Sequence, residues 1–130
     1  MILLDTHVAL WLALDPEKIS RSGVSAIELA QREGRPIALS CVSLYEIARM
    51  VHRGRVALDS SIEELLDQLG AQFSIIGLTP TIALIAARFP ANFPDDPMDR
   101  VIIATALAEN LTLITADRRI LISRTVKTIW

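Results

Sequence analysis

One cysteine in 130 residues, Cys41, leaves no partner for an intramolecular disulfide, so the fold rests on its core and suits a reducing compartment. Histidine is as sparse. His7 and His52 form no cluster, and with no thiol pair and no HExxH the chain has no zinc-type ligand set. Two Trp, one Tyr and three Phe give no platform on which successive nucleic-acid bases could stack. Nor is there a basic excess: 13 Lys and Arg stand against 15 Asp and Glu, for a net charge of −2. That balance excludes a general attraction to polyanions, so any such partner must be held by a local patch. The apolar N-terminus carries Asp5 and Asp15 and lacks a basic leader, which argues against a signal peptide or membrane span and for a cytoplasmic protein. Repeats, low-complexity tracts and linkers are absent.

What the chain has is apolar bulk, 52% hydrophobic residues, enough to pack one domain over residues 1–130. Short apolar runs alternate with helical patterns. Strands are expected at Ile2–Leu4, Ile37–Ser40, Phe73–Ile76, Leu111–Ile114 and Thr125–Ile129. Helices are expected near Val8–Leu14, Ser22–Arg32, Ser43–Arg53, Ile62–Leu69, Thr81–Ala87 and Arg100–Glu109. Gly34-Arg35-Pro36, Gly77 with Pro80, and Pro94-Asp95-Asp96-Pro97 supply the punctuation. That order predicts an α/β fold with a mainly parallel sheet of about five strands and helices on both faces.

Four acids stand where strand-like runs meet helices: Asp5, Glu46, Asp99 and Asp117. Each has an ordinary structural explanation. Asp5 or Thr6 can cap the helix that follows, Ser43 and Glu46 have the spacing of a capping box, Asp96-Pro97 with Asp99 suits a helix start, and Asp117 can cap a short turn at Arg118–Leu121. Four caps need not all be acidic, however. In an open α/β sheet ligands bind outside the carboxyl ends of the strands. Carboxylates gathered there raise one another's pKa and call for a cation, and an oxygen-only donor set points to Mg²⁺ or Mn²⁺.

Basic residues flank these acids. Arg49, Arg53 and Arg55 follow Glu46, while Arg118, Arg119, Arg124 and Lys127 follow Asp117. Either group is a solvated face or a phosphate-binding patch. Val8, Ala9, Leu10, Trp11, Leu12 and Leu14 are apolar nearly all round their helix, which calls for deep burial in the monomer or a second chain against it.

The opening Leu-Leu-Asp-Thr-His-Val, the segment Ser-Leu-Tyr-Glu-Ile-Ala, the stretch Asp-Pro-Met-Asp-Arg-Val-Ile-Ile-Ala-Thr-Ala and the closing Leu-Ile-Thr-Ala-Asp, taken in order, resemble the PIN domain, specifically the VapC-type toxins of bacterial toxin–antitoxin pairs. The resemblance covers essentially the whole chain. It implies a three-layer PIN-like fold, a Mg²⁺-dependent endoribonuclease with Asp5, Glu46, Asp99 and Asp117 as its acidic quartet, and Thr6 and Thr115 as polar neighbours. Asp5 and Asp99 are the expected principal metal ligands. Asp99 is chosen over Asp95 and Asp96 because it stands immediately before Arg100 and the apolar helix, where the family's third acid stands; Asp96 is then the cap. Arg100, Arg118 and Arg119 are the expected contacts to an RNA backbone. The implied partners are an RNA substrate, a homodimeric second copy and an antitoxin that blocks the acidic site. Competing classes are a housekeeping RNA-processing nuclease and a non-catalytic module that retains the fold. A receiver-like phospho-acceptor lacks its adjacent acidic pair, and an Asp-x-Asp phosphatase fails because position 7 is His7.

Overall fold

The computed structural model describes residues 1–130. Five strands, β1 (Ile2–Leu4), β2 (Ile37–Ser40), β3 (Ser74–Ile76), β4 (Thr112–Ile114) and β5 (Thr128–Ile129), form one sheet in the order β3-β2-β1-β4-β5 with every pair parallel. Seven α-helices connect and cover them: α1 (Thr6–Leu14), α2 (Arg21–Arg32), α3 (Cys41–His52), α4 (Ile62–Gln72), α5 (Pro80–Arg88), α6 (Pro97–Ala108) and α7 (Arg118–Ser123). The expected parallel α/β architecture is therefore present. Strands β3, β4 and β5 are shorter than their apolar runs, and residues 118–123 form a helix where a single turn is expected.

Register explains the three layers. Leu3 pairs with Ala38 and Leu113, and all three side chains join Ile102, Ile103 and Ile120 on one face. Leu4 pairs with Leu39 and Ile114, and these join Val8, Ile47 and Leu69 on the other. Alternation along a strand thus gives each of the three central strands a side chain for both cores. The same register brings the next residues, Asp5, Ser40 and Thr115, to one carboxyl edge.

Helix α1 shows how the apolar surplus is absorbed. Val8, Ala9 and Leu10 are buried, Trp11, Leu12 and Ala13 are half-buried, and of its apolar residues only Leu14 is exposed. Trp11 packs on Trp130 and on His7, each at 5.9 Å between ring centroids. Most of this helix is thus covered by its own chain.

Candidate active site

The chain leaves β1 outward to β2 and β3, then returns to β4 on the other side, so strand order reverses between β1 and β4. Crevices form at such switch points. Here an open cleft of about 360 Å³ is walled by Asp5, His7, Trp11, Glu46, Asp96, Asp99, Ala116 and Asp117. All four acids expected from the sequence line it, together with Asp96.

Three of these acids cap helices. Asp5 Oδ1 accepts from the Thr6 N–H at 2.8 Å and caps α1. Asp96 Oδ1 accepts from the N–H groups of Met98 and Asp99 at 2.7 and 3.4 Å and caps α6, with Pro97 in the first turn. Asp117 Oδ1 accepts from the N–H groups of Arg119 and Ile120 at 2.8 and 3.4 Å and caps α7. Capping and cleft formation coincide because helices that start at the carboxyl edge of a parallel sheet aim their N-termini at one crevice.

The expected capping box in α3 is not formed. Ser40 caps that helix, accepting from the Val42 N–H at 3.4 Å, so α3 starts before Ser43 and Glu46 falls in its second turn. Glu46 Oε1 instead accepts from the Thr6 hydroxyl at 2.6 Å. The buried Ser43 hydroxyl lies 2.9 Å from the same Thr6 oxygen and, since the Thr6 proton is engaged by Glu46, donates to it. Sequence reading missed Ser43 as part of the site; its spacing from Glu46 suggests only a cap.

Thr115 plays the matching part on the other side. Its buried hydroxyl donates to Asp5 Oδ2 at 2.6 Å and accepts from the Asp117 N–H at 3.1 Å. Asp5 therefore has a donor on each oxygen, one from α1 and one from the loop after β4.

Electrostatics mark the same cleft. Burial raises the pKa of Asp5, opposed by the hydrogen bonds from Thr115 and Thr6. Burial also raises Glu46, opposed by its bond from Thr6 and reinforced by the charges of Asp5 and Asp96. Asp99 is pushed up to about 7, first by burial and then by Asp5, Asp96, Glu46 and Asp117. Carboxyl oxygens of Glu46, Asp96 and Asp99 lie within 4.8 Å of one another. Asp96 caps α6 as expected and also belongs to this carboxylate group beside Asp99.

The three arginines expected at an RNA backbone differ. Arg100 turns away from the cleft and donates to the carbonyl oxygens of Ala86 and Phe89 at 3.1 and 3.2 Å and to that of Pro90. Its guanidinium is engaged at the end of α5 and in the loop beyond, whereas the sequence suggested a ligand contact. Arg119 pairs with Asp95 at 3.0 Å and lies over the Phe93 ring, still exposed. Arg118 is exposed beside Asp117.

Comparison with known proteins agrees with this geometry. Residues 2–126 match the PIN domain. Over 119 residues, 92% of this chain and 88% of the relative, the sequence is 36% identical to Ribonuclease VapC22 of Mycobacterium tuberculosis (strain ATCC 25618 / H37Rv). Among solved structures, VapBC2 from Rickettsia felis bound to a promoter DNA fragment has a similar fold, with a TM-score of 0.73 at 20% identity, covering 99% of this chain and 98% of that one. A toxin–antitoxin complex from Klebsiella pneumoniae has a TM-score of 0.69 at 20% identity, covering 100% and 97%. The chain thus belongs to the PIN-domain family, among its VapC-type members.

Proposed function

We propose that this protein is a Mg²⁺-dependent endoribonuclease and the toxin of a toxin–antitoxin pair. One observation carries the proposal: five carboxylates line a single crevice at the carboxyl edge of the sheet, and burial, then mutual repulsion, push Asp99 up to about 7. A chain 36% identical over nearly its whole length to a named ribonuclease supports the same reading.

A hard divalent cation suits this crevice. The donors are carboxyl oxygens, three of them from different residues within 4.8 Å, and a cation there relieves the repulsion that raises Asp99. Asp5 and Asp99 would be the principal ligands, Asp96 stands close enough to share the ion, and Glu46 and Asp117 would complete the shell or orient water. Mg²⁺, or Mn²⁺ in its place, supplies an activated water and neutralises charge on the phosphoryl group.

The remaining steps fall to the chain's own residues. Thr115 and the α1 N-terminus fix the Asp5 carboxylate, and Thr6 fixes that of Glu46, so neither needs to be ordered when substrate arrives. Glu46 would orient the attacking water. The water oxygen bonds to phosphorus and gives up a proton as the phosphorus–O3′ bond breaks, and the leaving 3′-oxygen takes up a proton, giving 5′-phosphate and 3′-hydroxyl ends. No histidine pair for a 2′-hydroxyl attack lines the crevice, where His7 is the one histidine.

Partners follow from the same relationship. An antitoxin would bind over the crevice; the similar Klebsiella pneumoniae structure is a toxin–antitoxin complex. A homodimer would cover apolar side chains that stay exposed, such as Leu78, Leu84, Leu107 and Ile122.

The test is cleavage of a structured RNA mixture by purified protein freed of any co-purifying partner. Cutting with Mg²⁺ or Mn²⁺, abolished by EDTA and by Asp5→Asn, is the expected result. Cutting that persists in EDTA or in the variant would refute the mechanism.

A further inference from the structure

Beside the acidic crevice, and sharing His7 and Glu46 with it as walls, lies a second cleft of about 190 Å³ completed by Arg49, Met50, Arg53 and Arg55. The structure contains three ion pairs, Lys18–Asp15, Arg35–Glu33 and Arg119–Asp95, and none involves these arginines. All three are exposed. A chain of net charge −2 therefore keeps three unpaired guanidinium groups against the flank of its most acidic site.

Their spacing has a consequence. Arg49 follows Glu46 by three residues on α3 and Arg53, its C-cap, by seven, hence on nearly the same helix face and about 4.5 and 10.5 Å further along the axis. Arg55 lies beyond the helix end, where the chain turns at Gly54, and lines the same cleft. A strand whose scissile phosphate lies over the carboxylates must place its neighbouring phosphates to one side or the other, and on this side they meet three cations in one cleft. Arginine suits phosphate because its planar fork donates two hydrogen bonds at once.

We infer that the cleft formed by His7, Glu46, Arg49, Arg53 and Arg55 is the subsite for the RNA phosphates that flank the scissile one. The inference rests on the nuclease reading above and adds residues that it does not use. This subsite supplies the affinity that the carboxylates cannot, since they repel the same backbone. It replaces Arg100, whose guanidinium is engaged elsewhere.

The experiment measures binding of a short fluorescent single-stranded RNA in Mg²⁺ by anisotropy, at several salt concentrations, on an Asp99→Asn background so that nothing is cut. Changing Arg49, Arg53 and Arg55 together to Gln is expected to weaken binding about tenfold or more near 0.1 M salt and to lower the slope of log affinity against log salt by about 2, at about 0.7 per phosphate contact. The same three positions changed to Lys should keep the slope, and Arg21→Gln, exposed on α2, should change nothing. In the cleaving protein the triple Gln variant should raise KM with kcat nearly kept. Unchanged affinity and slope in a folded triple Gln variant would overturn the inference, as would loss of binding to an acidic protein partner while RNA binding stays intact. The two proposals fail separately. A wild type that cuts RNA with or without these arginines removes only the subsite, whereas arginine-dependent RNA binding by a wild type that never cuts removes only the nuclease.

Discussion

The Thr6 hydroxyl donates to Glu46 Oε1 at 2.6 Å, so the first residue of α1 holds a carboxylate presented by α3, forty positions away. Thr6→Val keeps the shape and removes the donor. It leaves Glu46 and the buried Ser43 hydroxyl short of a partner, at a cost to stability of about 1–3 kcal/mol. It should also raise the Glu46 pKa further, because that hydrogen bond is what opposes burial. RNA cleavage is expected to fall roughly ten- to a hundredfold, mainly in kcat, while Thr6→Ser retains most of it. Steady-state kinetics with a thermal melt of each variant check this.

Asp96 serves two ends that substitution can separate. Asn or Ser caps a helix as well as Asp does. Asp96→Asn should therefore leave the melting temperature nearly unchanged, weaken divalent-metal binding, and lower the Asp99 pKa by removing one of the charges that raise it. Asp96→Ala should do the same and lose about 1 kcal/mol of stability besides. Calorimetric titration with Mn²⁺ and a chemical melt distinguish the two effects.

Asp99 gives the pH dependence its sign. Its pKa rises from 3.8 to about 7 on folding, so between those values the folded chain holds a proton that the unfolded chain has released. Metal-free stability should therefore fall as pH rises from about 4 to about 7 and change little above, with Asp5 and Glu46 acting in the same direction. Metal must displace that proton. Affinity for Mn²⁺ should rise by up to about tenfold per pH unit below 7 and level off beyond it, and Asp99→Asn should flatten the curve. Melts and metal titrations from pH 5 to 8 read both.

Arg100 donates to three carbonyl oxygens at the end of α5 and in the loop beyond, one residue from Asp99. Arg100→Leu should destabilise the protein by about 2–4 kcal/mol, since each bond from a charged donor is worth about 1.5–3 kcal/mol before exposure reduces it. Arg100→Lys should recover little, because one ammonium cannot reproduce a planar fork that spans three acceptors. Direct RNA affinity of whatever folds should be unchanged. Denaturant melts and anisotropy report the two properties.

Much of this was legible in the sequence for specific reasons. The central strands are apolar on both faces, so Ile2–Leu4 and Ile37–Ser40 stand out with the bounds that the structure gives them. Edge strands do not. Thr125–Ile129 shortens to Thr128–Ile129 because residues before it complete the turn out of α7, where Arg124 takes a left-handed conformation. The four acids were found because they interrupt apolar runs, and all four reach the crevice. Sequence could not show that capping and convergence are one arrangement, nor that Ser40 would start α3 early and free Glu46 to meet Thr6. Partners separated by forty or a hundred and ten positions, such as Thr6 with Glu46 and Thr115 with Asp5, depend on strand order, which local pattern does not encode. Arg100 looked available to a ligand because its acceptors are carbonyls of another segment.

The most direct measurement is a count of bound Mn²⁺ by electron paramagnetic resonance in the partner-free protein at pH 7.5, beside Asp99→Asn. The account predicts at least one tightly held ion per chain in the wild type, displaced by Mg²⁺ and lost or greatly weakened in the folded variant. A folded wild type that holds no ion, or a variant that holds it as tightly, would mean that the carboxylates are helix caps that happen to share a cleft, and would contradict the account at its centre.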